Sequence, residues 1–473
     1  MLLKEQIAPP DYSKNIFELG LIGKASAGIQ IDVNVATKKL PDGNFADAPF
    51  CDHNCRVNTF GQKTGNYDCP AAITLHPGLK RNSLAPSSLI LRAIESTAAA
   101  TRLANASLLE SSHLPDYFNR FGLPDFVKSV VKNHLSGGQI EINLFGGNPE
   151  LHPDIIPMVS ELKNAGYIVN LTTTGGRFLY DPEFLAEILE SPPHLLALSA
   201  DDFDSPEQIA SLSNLDLEDI VRLRNKIPFQ FGQKRKALEA TYATRLSQIH
   251  PGFSRILFNL VAHPGNIDSI EEVIASLRLS FPQALINPYP AQSAFYHGEP
   301  DFSPDHFPLL EQFIDNRIDD HFHGLAGHVP RLHYWLMLKS ICDTFRDNPR
   351  AALRALAGYD SWKCYGSPGA NRYIQIGASP EVHSGQKTAG GHLACFWNSE
   401  TVTVKETQVW NMNPPEIAGF ITQGMIEIAN SHPDPCPGCN FPRLNFDMMS
   451  LEIGMDPRLV PNYLKLRKNY LGF

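Results

Sequence analysis

The chain has 473 residues, of which 43% are hydrophobic and 19% charged, and its formal net charge is -10 at pH 7. That length and apolar content support a large buried core and more than one domain. The acidic balance leaves no broad basic surface to neutralise phosphates, so nucleic-acid binding is not expected. No apolar run approaches the ~20 residues of a bilayer-spanning helix, and MLLKEQIAPPDYSK has no signal-peptide pattern; no membrane contact and a cytoplasmic location are the expectations.

Residues 1–26 read as an N-terminal segment. From Ala27, AGIQIDVNVA has the alternation and β-branched content of a strand. The Pro-, Gly- and Asp-rich loop that follows carries Cys51, Cys55 and Cys69, and a loop after a strand is where an α/β barrel places its chemistry. A helix is predicted over Pro86–Glu110. Further strands are predicted over Gln139–Gly146, Ile168–Gly175, His194–Asp201, Arg255–Pro264 and Ala284–Pro290. Helices over Asp154–Ala165, Asp181–Glu190 and Ser269–Leu279 separate several of them, two opening on Pro or Asp start signals. This alternation argues for a parallel sheet with right-handed crossovers. Six strands make an α/β fold of the partial (β/α)6, TIM-like kind over residues 27–300, open where eight would close.

Leu215–His250 is a polar, helix-prone insertion; its basic run Lys234, Arg235 and Lys236 reads as a solvated helix face. Residues 301–359 form a helical connector. Its His321, His323, His328 and His333 lack regular ligand spacing and fit surface or interface positions. Cys342, in the apolar WLMLKSICDTF, reads as a core thiol. Residues 360–473 form a Gly-rich second domain containing Cys364, Cys395, Cys436 and Cys439.

In a reducing cytosol, grouped cysteines point to ligation. A thiolate trio beyond one strand can hold three irons of a cubane cluster and leave the fourth open to a small bidentate ligand; zinc explains the trio about as well. The four later cysteines suffice for one fully ligated cluster or for a zinc site.

The segments FCDHNCRVNTFGQKTGNYDCP, NLFGGNPELHPDI, TTTG, LSADDFDSPEQI and FNLVAHPGNIDSIEEV, in this order over Ile29–Pro290, resemble the radical S-adenosylmethionine (radical SAM) superfamily. The family's usual C-x3-C-x2-C is here C-x3-C-x13-C, with Asn58 at the place of the third cysteine; a longer loop costs little closure entropy. The resemblance implies that Cys51, Cys55 and Cys69 hold a [4Fe-4S] cluster, and that Tyr67 stands one place before the usual aromatic that faces the adenine. It also implies that Gly146, Gly147, Asn148 and Pro149 receive the methionine end of S-adenosylmethionine, the glycines by letting backbone approach closely. There Asn148 offers an amide where the family has a carboxylate. Thr173, Ser199, Asp201 and Asn259 fall at strand ends on the nucleoside side.

The C-terminal segments WKCYGSPGANRYIQIGASPEV, GGHLACFW and DPCPGCNFPRLNFD resemble SPASM/twitch extensions, which implies one auxiliary [4Fe-4S] cluster on Cys364, Cys395, Cys436 and Cys439. The implied activity is reductive cleavage of S-adenosylmethionine to a 5′-deoxyadenosyl radical that abstracts hydrogen from a peptide or small molecule. Peptide modification or dehydrogenation leads, with small-molecule or cofactor biosynthesis as the alternative. A flavodoxin- or ferredoxin-type donor would supply the electron. A rival from another class is a non-catalytic, zinc-stabilised binding protein on a degenerate barrel. No general base or hydrogen donor is assigned, because Tyr289, Tyr296 and Cys342 have equally good packing explanations.

Overall fold

The computed structural model describes residues 27–33, 87–145, 149–173, 181–199, 256–280, 284–291, 302–322, 331–358, 361, 373–376, 413–416 and 448–473. Seven strands among them form one sheet: β1 (Ala27–Asp32), β2 (Ile140–Phe145), β3 (Ile168–Thr173), β4 (Leu195–Ser199), β5 (Ile256–Ala262), β6 (Leu285–Pro290) and β7 (Tyr373–Ile376). Their order is β6-β5-β4-β3-β2-β1-β7, and every pairing is parallel.

Strands β1 to β6 therefore lie side by side in chain order, each crossover stepping one place the same way. Six parallel strands in this order curl into a half-barrel with helices around it, the partial TIM-like architecture expected from the sequence. The seventh strand was not expected. It extends the sheet beyond β1, with Gly28 opposite Tyr373 and Ile31 opposite Ile376.

Helices α1 (Ser87–Glu110), α2 (His113–Arg120) and α3 (Asp125–Gly137) precede β2. Gly138, at φ 65°, ends α3 in the left-handed conformation that glycine adopts without a Cβ clash. A short 3-10 turn (Pro149–Leu151) and α4 (Ile155–Asn164) lead to β3, α5 (Pro182–Glu190) to β4, and α6 (Ile270–Ser280) to β6. Helix α5 starts where the sequence signals it: the Asp181 carboxylate accepts the Phe184 N–H at 3.0 Å, and proline follows at the first helical position.

The period-2 alternation of the strands separates two faces. Ile29, Ile31, Ile142, Leu144, Val169, Leu171, Leu196, Phe258, Leu260 and Ile286 are buried in the same core as the helices. These are the helix-facing positions, and burying a side chain of this size contributes ~1.5–3 kcal/mol each. The intervening positions, on the concave face, carry most of the polar residues.

The connector consists of α7 (Phe307–Phe322), α8 (Leu332–Thr344) and α9 (Pro349–Leu356); α10 (Met448–Gly454) and α11 (Val460–Leu471) come from the far end of the chain. Helix α8 is apolar all round and packs against the other four. Cys342 is buried in it, as expected, and burial pushes its thiol far above the ordinary range. Lys339 of α8 meets Glu311 and Asp315 of α7 at 2.9 and 3.0 Å. Arg317 of α7 reaches Glu271 of α6 at 2.6 Å, which ties the helical group to the barrel. His321 and His333 are buried among these helices and not at the surface; His323 and His328 lie outside the described residues.

A second tie runs from α10 and α11 to α2. Glu452 and Arg467, both buried, pair at 2.8 Å, the Tyr117 hydroxyl donates to the other Glu452 oxygen at 2.7 Å, and Arg467 donates to the Phe121 carbonyl.

Candidate functional site

The concave face is built from alternate residues of neighbouring strands. A sheet with both faces packed reads as nearly continuous apolar runs, whereas β2 reads I-E-I-N-L-F and β3 I-V-N-L-T-T. Register sets Asn143 beside Asn170, and Asn259 beside both Ser199 and Asn287. The Thr172 hydroxyl donates to Asn143 Oδ1 at 2.9 Å, and Asn287 Nδ2 donates to Asn259 Oδ1 at 2.7 Å. Four strands thus contribute paired amides and a hydroxyl to one surface, and each pair orients its members without charge.

At the start of β2, Glu141 lies on the same face between Gly28 and Ile168. Asn170 Nδ2 donates to Glu141 Oε1 at 2.6 Å. Burial raises the carboxyl above its usual range, against the opposing pull of the nearby Arg331 charge and of the Asn170 hydrogen bond. Arg331 is positioned by the end of α7: its backbone N–H donates to His321 Nε2 at 3.0 Å, and His321 Nδ1 lies 2.7 Å from the Arg317 carbonyl. That pairing requires a neutral imidazole with its proton on Nδ1.

Two strand ends are locally constrained. After β2, Pro149 is buried at the head of the 3-10 turn, its carbonyl accepts the His152 N–H at 3.0 Å, and His152 Nδ1 accepts the Asp154 N–H at 3.0 Å. After β5, the buried Asn266 folds FNLVAHPGN into a turn: its Oδ1 accepts the His263 N–H at 2.8 Å and its Nδ2 donates to the Val261 carbonyl at 2.9 Å.

Of the residues singled out in the sequence, Pro149, Thr173, Ser199 and Asn259 fall within the described elements: Thr173 and Ser199 end β3 and β4, Pro149 follows β2, and Asn259 is in the middle of β5. Ser199 and Asn259 are register partners. Thr173 is buried on the helix-facing side with Val169 and Leu171, while its neighbour Thr172 is the one on the concave face. Tyr67, Gly146, Gly147, Asn148 and Asp201 lie outside the described residues, as do Cys51, Cys55, Cys69, Cys364, Cys395, Cys436 and Cys439. Among the described residues no group of three His, Cys, Asp or Glu could hold a metal ion, and no described helix is long and apolar enough to cross a membrane. Glu141, Asn143, Asn170, Thr172 and Asn287 were not singled out. Their signal was a polar residue at alternate positions of parallel strands.

These features define a singly wound parallel half-barrel whose concave face carries hydrogen-bonded polar side chains. No protein-family model and no curated protein sequence matches the chain. Among solved structures it is similar to SuiB of Streptococcus suis bound to the precursor peptide SuiA, with TM-score 0.44 and 10% identity, covering 90% of this chain and 72% of that one. SuiB bound to S-adenosylmethionine gives TM-score 0.42 and 9% identity over 90% and 72% of the two chains, and SuiB alone gives 0.41 and 10% over 90% and 74%. Strand order and register, not these likenesses, define the fold.

Proposed function

We propose that the chain is a radical SAM enzyme that abstracts a hydrogen atom from a peptide or small-molecule substrate. One observation carries the reading: the segment with Cys51, Cys55 and Cys69 leaves the sheet from the C-terminal end of β1, and Gly-Gly-Asn-Pro leaves it from the C-terminal end of β2. Both motifs thus follow, in the chain, strands whose C-terminal ends share one edge of the parallel sheet, the edge where barrels keep their chemistry.

The described groups suit the nucleoside end of the cofactor. The Asn259–Asn287 and Asn143–Thr172 pairs present neutral donors and acceptors from four strands, which can orient ribose hydroxyls and ring nitrogens. When bound, cluster and cofactor supply a carbon-centred radical; the protein's contribution is orientation and the exclusion of water. Cys51, Cys55 and Cys69 would hold the first cluster, Gly146 to Pro149 the methionine end, and Cys364, Cys395, Cys436 and Cys439 an auxiliary cluster in a C-terminal domain. A cytoplasmic location and a flavodoxin- or ferredoxin-type electron donor belong to the same proposal.

The test is metal, sulfide and 5′-deoxyadenosine analysis of anaerobically reconstituted protein given S-adenosylmethionine and dithionite, beside a Cys69→Ala variant. About eight irons per chain are expected for two cubane clusters, with nucleoside release that the variant loses. Zinc in place of iron, with no release from the wild type, would establish instead the binding protein on a degenerate barrel.

A further inference from the structure

Toward the strand starts, the concave face holds a polar pair that the cofactor reading leaves unused. Asn170 lies opposite Leu195, and Ser199, the register partner of Asn259, stands four residues further along β4. At about 3.3 Å per residue, Asn170 is about 13 Å from the Asn259 row along the strands. Asn170 is 7% exposed. Its Nδ2 donates to Glu141 Oε1 at 2.6 Å, and its Oδ1 has no hydrogen-bond partner among the described residues. Native proteins rarely bury an amide oxygen without a donor, so such an atom marks the place of an absent O–H or N–H. Space for it opens beside Glu141. That side chain is only half-buried, and Gly28, held between β2 and β7, is itself partly exposed and puts no side chain there.

The chemistry of the pair selects the ligand. Asn170 Oδ1 takes a donor. The carboxyl beside it accepts a second O–H when ionised and gives its own proton to a ligand oxygen when neutral. Adjacent hydroxyl groups suit both forms, whereas a carbonyl suits only the neutral acid and an ammonium only the ionised one. We propose that Asn170 and Glu141 form a substrate subsite for a vicinal diol, of the kind a sugar or polyol presents. One hydroxyl donates to Asn170 Oδ1 and its neighbour meets the Glu141 carboxyl. Glu141 accepts the Asn170 NH2, which keeps the Asn170 oxygen turned toward the ligand. The assignment rests on the radical reading for the reaction that follows, and adds to it the group by which a small-molecule substrate is held.

Saturation-transfer NMR on the reconstituted full-length protein tests the subsite with vicinal cis-cyclopentanediol, beside cyclopentanol, cyclopentylamine and the dimethyl ether of the diol. The diol is expected to bind about tenfold more tightly than cyclopentanol, and the ether not at all. Asn170→Leu, close in size and without an acceptor, should weaken diol binding about tenfold. Glu141→Gln, which keeps a donor and an acceptor, should retain it. S-adenosylhomocysteine, which carries the diol of the nucleoside, should leave the bound probe in place. Diol and cyclopentanol bound alike, the amine bound more tightly than the diol, unchanged binding in a folded Asn170→Leu, or displacement by S-adenosylhomocysteine overturns the assignment. So does the absence of diol binding, which leaves only water to fill the place beside Asn170. The comparison among probes needs no variant, so it decides even where Asn170→Leu fails to fold. The outcome is separable from that of the enzyme reading, because diol binding needs neither nucleoside release nor bound iron. A protein that binds the diol but cleaves no cofactor keeps the subsite and loses the radical mechanism; one that releases nucleoside but binds no diol does the reverse.

Discussion

Glu452 and Glu141 are both carboxyl groups desolvated by burial and under the influence of a guanidinium, and what surrounds each differs. Around Glu452 the hydrogen-bonding capacity is widely used: one oxygen takes the Arg467 guanidinium, the other the Tyr117 hydroxyl, and the remaining Arg467 nitrogens reach the carbonyls of Phe121 and Phe473. Three segments that local sequence keeps apart are clamped together. Around Glu141, Asn170 Nδ2 donates to one carboxyl oxygen at 2.6 Å, the Asn170 oxygen has no partner among the described residues, and the Arg331 backbone N–H is held by His321. A buried ion pair whose hydrogen bonds are widely satisfied holds structure, and removing one partner leaves the other exposed to the full cost of burial.

The contrast can be broken experimentally, and the clamp should give the largest response. Arg467→Met leaves Glu452 buried without its counter-charge, and chemical denaturation is expected to show a loss of about 3–5 kcal/mol. A loss below 1 kcal/mol would mean that the pair is not a clamp. Tyr117→Phe removes a single bond to a charged acceptor and should cost about 1.5–3 kcal/mol in the same assay.

Glu141→Gln should behave in the opposite sense and by less. The folded-state pKa of Glu141 is raised from 4.5, so the protonated acid is favoured by folding. Stability from this group is complete below about pH 4.5 and declines as pH rises through the folded value. The neutral amide escapes that decline. Melting curves should therefore find Glu141→Gln level with the wild type at pH 4 and more stable at pH 8; a variant less stable at pH 8 would mean that folding favours the ionised form of Glu141.

Elements β1 to β6 were legible because each is a β-rich run bounded by turn residues, and the order of strands and helices leaves few topologies. Strand β7 was not: four residues, YIQI, inside a Gly-rich stretch acquire their partner from the other end of the chain. Helices α2 and α3 were hidden by Gly122, at φ 56°, and Pro124, which interrupt the apolar period between them. The clamp was equally invisible, since nothing local marks Glu452 or Arg467 as paired, and one partner, Tyr117, lies 335 positions away. At the candidate site, Thr173 was singled out at the end of β3, but a one-residue step along a strand exchanges faces. Thr172 points to the concave side and Thr173 to the helices. Position in a motif locates a strand end; the pleat decides which side chain serves it.

The pairing of β1 with β7 gives this barrel a direction in time. A ribosome adds about 5–20 residues per second, so the outer edge of β1 emerges early and waits tens of seconds before Tyr373–Ile376 can cover it. An unpaired strand edge is a template for association with other chains. The last helices, which bring Glu452 and Arg467 to Tyr117, arrive later still. Covering of that edge by β7 therefore waits for the last quarter of the chain.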